Sequence, residues 1–130
     1  MPYTINQQQI DSVLSLPAAE RYGHFVRRVA DWEELWGLKT GQGWVTVAGS
    51  NGSKCLPFWP HPEYARLSAT SEWSDAVPER IELSKFMSWL PHLEEDGYSV
   101  AVFPTPSGKG VIVEPKQLRA HLAAECEQYE

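Results

Sequence analysis

Residues 44–62 read WVTVAGSNGSKCLPFWPHP, and this segment decides the fold. Residues 44–48 are β-branched or aromatic and residues 54–58 form a second extended run, so both are predicted to be strands. Asn51-Gly52 lies between them and is a strong signal for a hairpin turn. The prolines that follow cannot donate to a strand ladder, but proline suits the first position of a helix. We therefore expect the second strand to end at the prolines and a short helix to occupy residues 62–73.

Apolar periodicity outward from this segment predicts an α+β fold with about five helices and about five strands. The other helices are expected from Thr4 to about residue 16, near 17–30, from Ser84 to Gly97 and from Pro115 onward. The other strands are expected at 80–83, 98–103 and 110–113, with 35–39 as a further candidate. Pro91 lies inside the fourth helix and is expected to kink or break it. Hairpins link most strands, so we expect a largely antiparallel or mixed sheet with the helices packed on it.

The length and composition are those of one globular domain over residues 1–130. Apolar residues make up 42% of the chain, which argues against intrinsic disorder. The sequence contains no run of 18 apolar residues, and its start lacks the basic and apolar segments of a secretion signal. A cytoplasmic location is therefore expected, with Cys55 and Cys126 as reduced thiols.

The charge is distributed unevenly along the chain. Residues 1–60 hold five Lys or Arg and five Asp or Glu, whereas residues 61–130 hold six against twelve, which accounts for the net charge of −6. An acidic surface repels phosphate backbones and anionic lipid headgroups. We therefore expect neither nucleic-acid nor membrane binding, and a basic protein is the more natural partner.

A search for reactive motifs finds none that predicts a catalytic, cofactor or metal site. There is no phosphate-binding GxxxxGK[ST] loop, no GxGxxG and no GxSxG. The four histidines do not have metal-ligand spacing, and Gly108-Lys109-Gly110 is typical of a hairpin turn. Cys55 is expected to be buried and inert, and the acidic run at 94–96 to be a solvated helix end.

The six tryptophans are the most unusual feature of the composition. Their common role is to fill a core, with each indole N–H bound to one acceptor. Trp59 differs because it lies between Phe58 and Pro60, in a stretch that holds its conformation at little entropic cost. Such a residue is either a structural corner or a binding anchor, and the sequence leaves both open. The aromatic-proline bond also raises the chance of a cis peptide at 59–60.

A resemblance to a known family rests on the run LPFWPHPEYA at residues 56–65, with Trp44-Val45 before it. Further matching positions are Trp73, Phe86, WLP at 89–91, Leu93, Asp96-Gly97, VAVFP at 100–104, GVIV at 110–113 and Pro115. Over about residues 22–122 the chain resembles the bacterial family catalogued as domain of unknown function 2750. This resemblance implies no known activity and no assigned catalytic residues. A looser likeness to SseB-type domains implies a small, mostly non-enzymatic cytoplasmic protein with a regulatory, secretion-related or immunity role.

The expected function is that of a non-catalytic module that binds another protein, with no cofactor. The hypothetical binding surface centres on Trp59 and His61, with Glu63 and Trp73 nearby. In a competing hypothesis an apolar pocket for a small molecule is lined by Trp44, Trp59, His61 and Trp73, and His61 serves as an acid or base. A toxin-immunity protein is a third possibility.

Overall fold

The computed structural model describes residues 7–48, 54–70, 73–105 and 110–127, and these residues form five helices and seven strands. The helices are α1 (Gln7–Leu14), α2 (Ala18–Trp32), α3 (Pro62–Ser68), α4 (Leu83–Glu95) and α5 (Pro115–Cys126). The strands are β1 (Glu34–Thr40), β2 (Gly43–Trp44), β3 (Val47–Ala48), β4 (Lys54–Phe58), β5 (Val77–Glu82), β6 (Ser99–Val102) and β7 (Val111–Val113). This mixture of helix and strand confirms the predicted α+β class.

The strands form two sheets that meet at one antiparallel bridge. The first sheet has the order β2-β1-β5 and the second β3-β4-β6-β7. Trp36 in β1 and Trp59 just after β4 exchange two backbone hydrogen bonds, each 2.8 Å long. Through this bridge β5, β1, β4, β6 and β7 follow one another as one mixed arrangement, in which only β4 and β6 are parallel. The expectation of a single sheet therefore differs from the structure, which divides the strands between two sheets and splits the strand predicted at 44–48 into the short strands β2 and β3.

The hairpin expected between residues 44–48 and 54–58 forms only in part. The part next to the turn forms, because β3 pairs antiparallel with β4. The part around Trp44 does not form, because Trp44 belongs to β2 and pairs with Lys39 of β1. The run therefore leaves one sheet and enters the other, and Asn51-Gly52 lies outside the described residues.

A tight turn between β1 and β2 explains this change of sheet. Gly43 has a φ of 122°, which L-residues with a side chain rarely adopt, and it lets the chain reverse after Thr40. The reversal brings the indole of Trp44 onto Gly37, where an added Cβ would come within 2.8 Å of the ring. A larger residue at position 37 would therefore displace the tryptophan.

The helices α1 and α2 form the expected N-terminal pair. Pro17 separates them in an extended conformation, with φ −57° and ψ 154°. Ile10 of α1 is buried, and Phe25 of α2 is completely buried. Glu33 ends α2 in the left-handed region with a φ of 56°. The expected start of α1 at Thr4 lies outside the described residues.

Strand β5 begins at Val77, earlier than the predicted start at residue 80. It can include Pro78 because it lies at the edge of its sheet. The backbone N–H and C=O of Trp36 point towards Trp59, so Trp36 and Arg80 form a non-hydrogen-bonded pair across β1 and β5. Leu38 and Pro78, two residues further along, therefore also form a non-hydrogen-bonded pair. The nitrogen of Pro78 therefore faces the outer edge, where no ladder bond is lost.

Helix α4 continues through Pro91, so the expected break is wrong. Proline has no N–H, which leaves the carbonyl of Met87, four residues earlier, without its helical donor. Arg119 of α5 supplies a donor instead, with its Nε 3.1 Å from that carbonyl oxygen. The last helical residue is Glu95, and the chain leaves the helix at Asp96-Gly97 as predicted, where Gly97 has a φ of 82°.

The core is one contiguous cluster to which every helix contributes. Its members on the last helix are Leu118 and Leu122, both with no exposed surface. Neither Cys55, which is buried, nor Cys126, which is partly buried, belongs to a disulfide. Among the described residues, no helix has both the length and the apolar character needed to cross a membrane.

Candidate functional site

Trp59 is a structural corner in the observed fold. Its side chain has no exposed surface, and its indole Nε1 donates to the carbonyl of Pro104 at 2.8 Å. Its backbone forms the bridge to Trp36 that joins the two sheets. The peptide bond to Pro60 is trans. Trp59 therefore offers no surface to a partner in this conformation.

His61 begins helix α3 as its N-cap residue. Its backbone is extended, with φ −150° and ψ 145°, as expected before a proline, and its Nδ1 accepts from the backbone N–H of Glu63 at 3.2 Å. The ring is 7% exposed and packs edge-on against Tyr64. The run His61-Pro62-Glu63 thus starts the helix with a cap, a proline at the first turn and an acidic residue at its positive end.

Glu63 and Trp73 lie nearer the surface than the other two predicted site residues. The Glu63 carboxylate forms an ion pair with Arg66 one turn later, and the two side chains are 44% and 58% exposed. Helix α3 ends at Ser68, short of the predicted residue 73, so Trp73 lies in the following turn. Its backbone N–H donates to Thr70 at 3.0 Å, and its half-buried ring packs against the core.

Two exposed apolar side chains lie beside these residues, and sequence reasoning did not single them out. Leu67 near the end of α3 is 40% exposed, and Val77 at the start of β5 is 58% exposed. Helix α3 packs against β5, and only eight residues of sequence separate the end of the helix from the start of the strand. We call the surface formed by Glu63, Leu67, Trp73 and Val77 the α3–β5 face.

Acidic groups surround the α3–β5 face. Exposed Asp75 and Glu79 lie on the turn and strand, and Glu82 ends the strand. The nearest cation on β5 is Arg80, whose Nε donates to buried Glu34 at 2.6 Å and whose Nη1 lies 3.8 Å from Glu82. The hydrogen bond that Arg80 donates to the Glu34 carboxylate raises the pKa of Arg80. Its charge is therefore balanced within the protein, whereas Lys39, the cross-strand partner of Val77, places one positive charge beside the face.

A polar cleft of about 280 Å³ opens between the first three helices. Its walls include Gln8, Ser12 and Val13 from α1, His24 and Arg28 from α2, and Tyr64 from α3. We call it the α1–α2–α3 cleft. The rings of His24 and Tyr64 pack against Phe103, at centroid distances of 6.1 and 4.7 Å.

Burial sets the protonation of the aromatic groups in this cleft. It lowers the pKa of His24 to about 4, with smaller contributions from the positive charges of Arg28 and Arg27. It also raises the pKa of Tyr64 to about 12, against the opposing effect of Arg28. At neutral pH the cleft therefore holds a neutral imidazole, a neutral phenol and one guanidinium.

None of the three main clefts formed by the described residues is lined by Trp59, His61, Glu63 or Trp73. The α1–α2–α3 cleft, a second cleft of about 280 Å³ between α2 and α5, and an open groove of about 600 Å³ beside β7 have other walls. In the second cleft the Tyr22 hydroxyl and His121 Nδ1 share a hydrogen bond that ties the two helices. Within the described ranges, no three His, Cys, Asp or Glu side chains are grouped to hold a metal ion.

One sequence signal for the α1–α2–α3 cleft was available. His24 and Arg28 are four residues apart on the predicted helix near 17–30, so they share a face. The contribution of Tyr64 could not be predicted this way, because it comes from a helix distant in sequence.

A comparison with protein families decides the relationship of this chain. The model of the family described as "Protein of unknown function (DUF2750)" matches residues 22–122, which is more than three-quarters of the chain. The chain belongs to the DUF2750 family. The predicted resemblance over the same residues is thus confirmed, whereas the looser SseB-type likeness stays a prediction. Comparisons with curated proteins and with solved structures found no match.

The low pKa of His24 predicts a pH dependence of stability for this DUF2750 protein. The folded state disfavours the charged imidazole, so between pH 6.5 and about 4 the unfolded chain binds more protons. The stability due to the neutral ring is present above pH 6.5 and is lost as the pH falls through this window. We expect the difference in Tm between the wild type and His24→Gln to be constant above pH 6.5 and to shift against the wild type below it.

The matched control for this experiment is His92→Gln, because His92 is exposed on α4. Its Tm should follow that of the wild type at every pH. A difference between the wild type and His24→Gln that stays constant from pH 7 to about 4 would contradict the assignment of a neutral, buried His24.

Proposed function

We propose that this chain is a non-catalytic module that binds a basic protein through the α3–β5 face. The observation that carries the proposal is the exposure of two apolar side chains, Leu67 and Val77, on two elements that pack against each other. The partner would present an apolar residue flanked by Lys or Arg. Trp59, the anchor considered from the sequence, supports this face from the core instead of forming part of it.

The apolar contribution to binding would come from covering Leu67 and Val77. Burying a fully exposed aliphatic side chain contributes about 1.5–3 kcal/mol, and these side chains are about half exposed. Each is therefore expected to contribute about 1 kcal/mol when a partner covers it. Trp73, which lies between them in the sequence and is half-buried, is an aromatic residue of the kind enriched in binding hot spots.

The electrostatic contribution would favour a positively charged partner. Glu63 belongs to the face, and Asp75 and Glu79 each lie two residues from Val77, so these carboxylates outnumber the nearby cations Arg66 and Lys39. Residues 61–130, which include the face, also carry the whole negative excess of the chain. Such a field speeds the approach of a basic partner and weakens with added salt.

The contacts of His61 and Glu63 support a non-catalytic role for this surface. The His61 ring is buried and accepts from a backbone amide, while Glu63 pairs with Arg66. Both groups thus serve the start of helix α3. An acid-base pair would instead have to be accessible to a substrate.

The proposal can be tested with a random peptide library displayed on phage and selected on the full chain. The enriched peptides should carry an apolar residue next to Lys or Arg. Leu67→Gln and Val77→Thr should each weaken binding of the enriched peptide about fivefold, since about 1 kcal/mol corresponds to that factor. These replacements keep the helix and strand propensities of the two positions.

Ile112→Thr is the matched control, because Ile112 is 43% exposed on β7 in the other sheet. It should leave binding unchanged. Loss of binding with Ile112→Thr and not with the two variants of the face would contradict the proposal. So would enrichment of acidic peptides, or binding that does not weaken as salt is added.

A further inference from the structure

We infer that the cleft between α2 and α5 is a binding site for a small zwitterion of the amino-acid class. This site is separate from the α3–β5 face, and its ligand does not depend on the proposed protein partner. Three features carry the inference: two opposite charges without partners, a glycine inside a helix, and a hydrogen bond that joins the cleft walls. We call it the α2–α5 cleft, and its walls include Tyr22, Gly23, Val26 and Arg27 from α2 and His121 and Glu125 from α5.

Two opposite charges line the α2–α5 cleft from different helices. Arg27 comes from α2 and Glu125 from α5. Within the described part of the chain, neither side chain forms an ion pair or a hydrogen bond. Arg27 is exposed and Glu125 is partly exposed, so a ligand from solvent can reach both. Both charges are therefore available to a ligand.

The balance of charge in the cleft favours a zwitterion. A simple anion would be attracted by Arg27 and repelled by Glu125, and a simple cation would meet the reverse. A molecule that carries both charges can pair each with its opposite. The guanidinium donates in a planar fork that matches a carboxylate, and a ligand ammonium donates to the carboxylate of Glu125. A free amino acid holds these two groups on one carbon.

Gly23 opens space in the cleft at a cost to helix α2. It is the only glycine inside a helix of the described residues, and after proline glycine is the least favourable residue there. Its φ is not in the left-handed region, so the backbone does not require a glycine. Outside the helix backbone and the adjacent residues, the one atom within 4 Å of an added Cβ would be Nη1 of Arg27, at 3.2 Å. The core does not require a glycine here either, and the missing side chain instead leaves room beside the guanidinium.

A hydrogen bond between Tyr22 and His121 joins the two walls of the cleft. The Tyr22 hydroxyl and His121 Nδ1 share it, and the two rings meet edge-on at a centroid distance of 5.5 Å. Burial raises the pKa of Tyr22, so the phenol stays protonated and donates to Nδ1. With Nδ1 as the acceptor, the ring proton of His121 is on Nε2, which is a further donor for a ligand carboxylate. Walls that are held together in this way lose little entropy when a ligand binds.

The volume of the cleft sets the size of the ligand. At about 30 Å³ for each water molecule, 280 Å³ equals the space of about nine waters. Leucine has about nine non-hydrogen atoms and both charges, so it is a suitable probe, and its aliphatic part can pack on Val26. Isocaproate has the same carbon skeleton without the ammonium, and leucinol has it without the carboxylate. These two compounds are the matched controls for the two charges.

The experiment is a titration of the full chain with leucine at neutral pH and constant ionic strength, followed by amide NMR. We expect saturable shifts on α2 and α5 with a Kd of about 1 mM, and binding of isocaproate and leucinol that is weaker by about fivefold or more. Arg27→Gln and Glu125→Gln should each weaken leucine binding about fivefold or more, because a charge-assisted hydrogen bond is lost. Lys85→Gln, which removes an exposed charge on α4, should have no effect.

Gly23→Ala separates ligand binding from the stability of the fold. It should raise the Tm by a few degrees, because alanine is the better helix former. It should also weaken leucine binding severalfold, because the added methyl group takes space beside the guanidinium of Arg27. A lower Tm in Gly23→Ala would mean that the fold itself requires the glycine, which contradicts its role in opening the cleft.

Several results would overturn the inference. They are the absence of saturable leucine binding, and unchanged affinity in both Arg27→Gln and Glu125→Gln. Binding of isocaproate as tight as that of leucine would replace the zwitterion with a simple anion, and equally tight binding of leucinol would replace it with a simple cation. Largest shifts outside α2 and α5 would place the ligand elsewhere on the molecule.

Discussion

Replacing Trp59 with alanine is expected to lower the free energy of unfolding by about 3–5 kcal/mol. The substitution removes the largest completely buried side chain of the core and leaves the carbonyl of Pro104 without the indole donor. It also leaves a cavity where the two sheets meet, next to the bridge with Trp36. The value can be measured by urea denaturation, since a loss of this size is a large fraction of the stability of one domain.

The control for this prediction is Trp32→Ala, because Trp32 is 38% exposed at the end of α2. Its cost should be clearly smaller, about 1 kcal/mol. A second variant, Trp59→Phe, keeps part of the volume and removes the hydrogen bond, so its cost should lie between the two. If Trp59→Ala is no more destabilising than Trp32→Ala, the assignment of Trp59 as a core corner is wrong.

Replacing both Leu118 and Leu122 with alanine should unfold most of the protein at 25 °C. Each substitution of a completely buried leucine costs about 2–5 kcal/mol, and the sum is comparable with the total stability of a domain. The damage would also spread to α4, because Arg119 between them donates to the carbonyl that Pro91 leaves free. We expect the cooperative thermal transition to disappear from circular dichroism.

Gln117→Ala on the same helix is the matched control, because Gln117 is exposed. It should keep the wild-type Tm within about one degree or raise it slightly, given the high helix propensity of alanine. A cooperative transition of the double variant near the wild-type Tm would contradict the core position of helix α5.

Much of the fold could be predicted from local patterns. The paired helices at the N-terminus, the strands that became β4, β6 and β7, and the stop at Gly97 all follow from residues near in sequence. The continuation of α4 through Pro91 could not, because the compensating donor, Arg119, comes from another helix. The division of residues 44–48 between two sheets depends on the packing of Trp44 over Gly37, which is also a tertiary contact.

The candidate site was harder to predict than the fold. The sequence predicted that the segment around Trp59 is rigid. Binding anchors and structural corners are both rigid, and what distinguishes them is whether the side chain is exposed or, like Trp59, buried. His61 looked reactive by residue type, yet its position before Pro62 makes it a helix cap. Leu67 and Val77 are ordinary apolar residues in the sequence, and their exposure is visible only in the fold.

The central claim is that the α3–β5 face binds a basic partner, and amide NMR of the isotope-labelled full chain tests it most directly. The chain would be titrated with the basic-apolar peptide enriched in the library selection. The account predicts that the largest shifts fall on Leu67, Trp73 and Val77 and that they diminish as salt is added. Largest shifts on β7, on the cleft residues His24 and Arg28, or on no defined surface would contradict it.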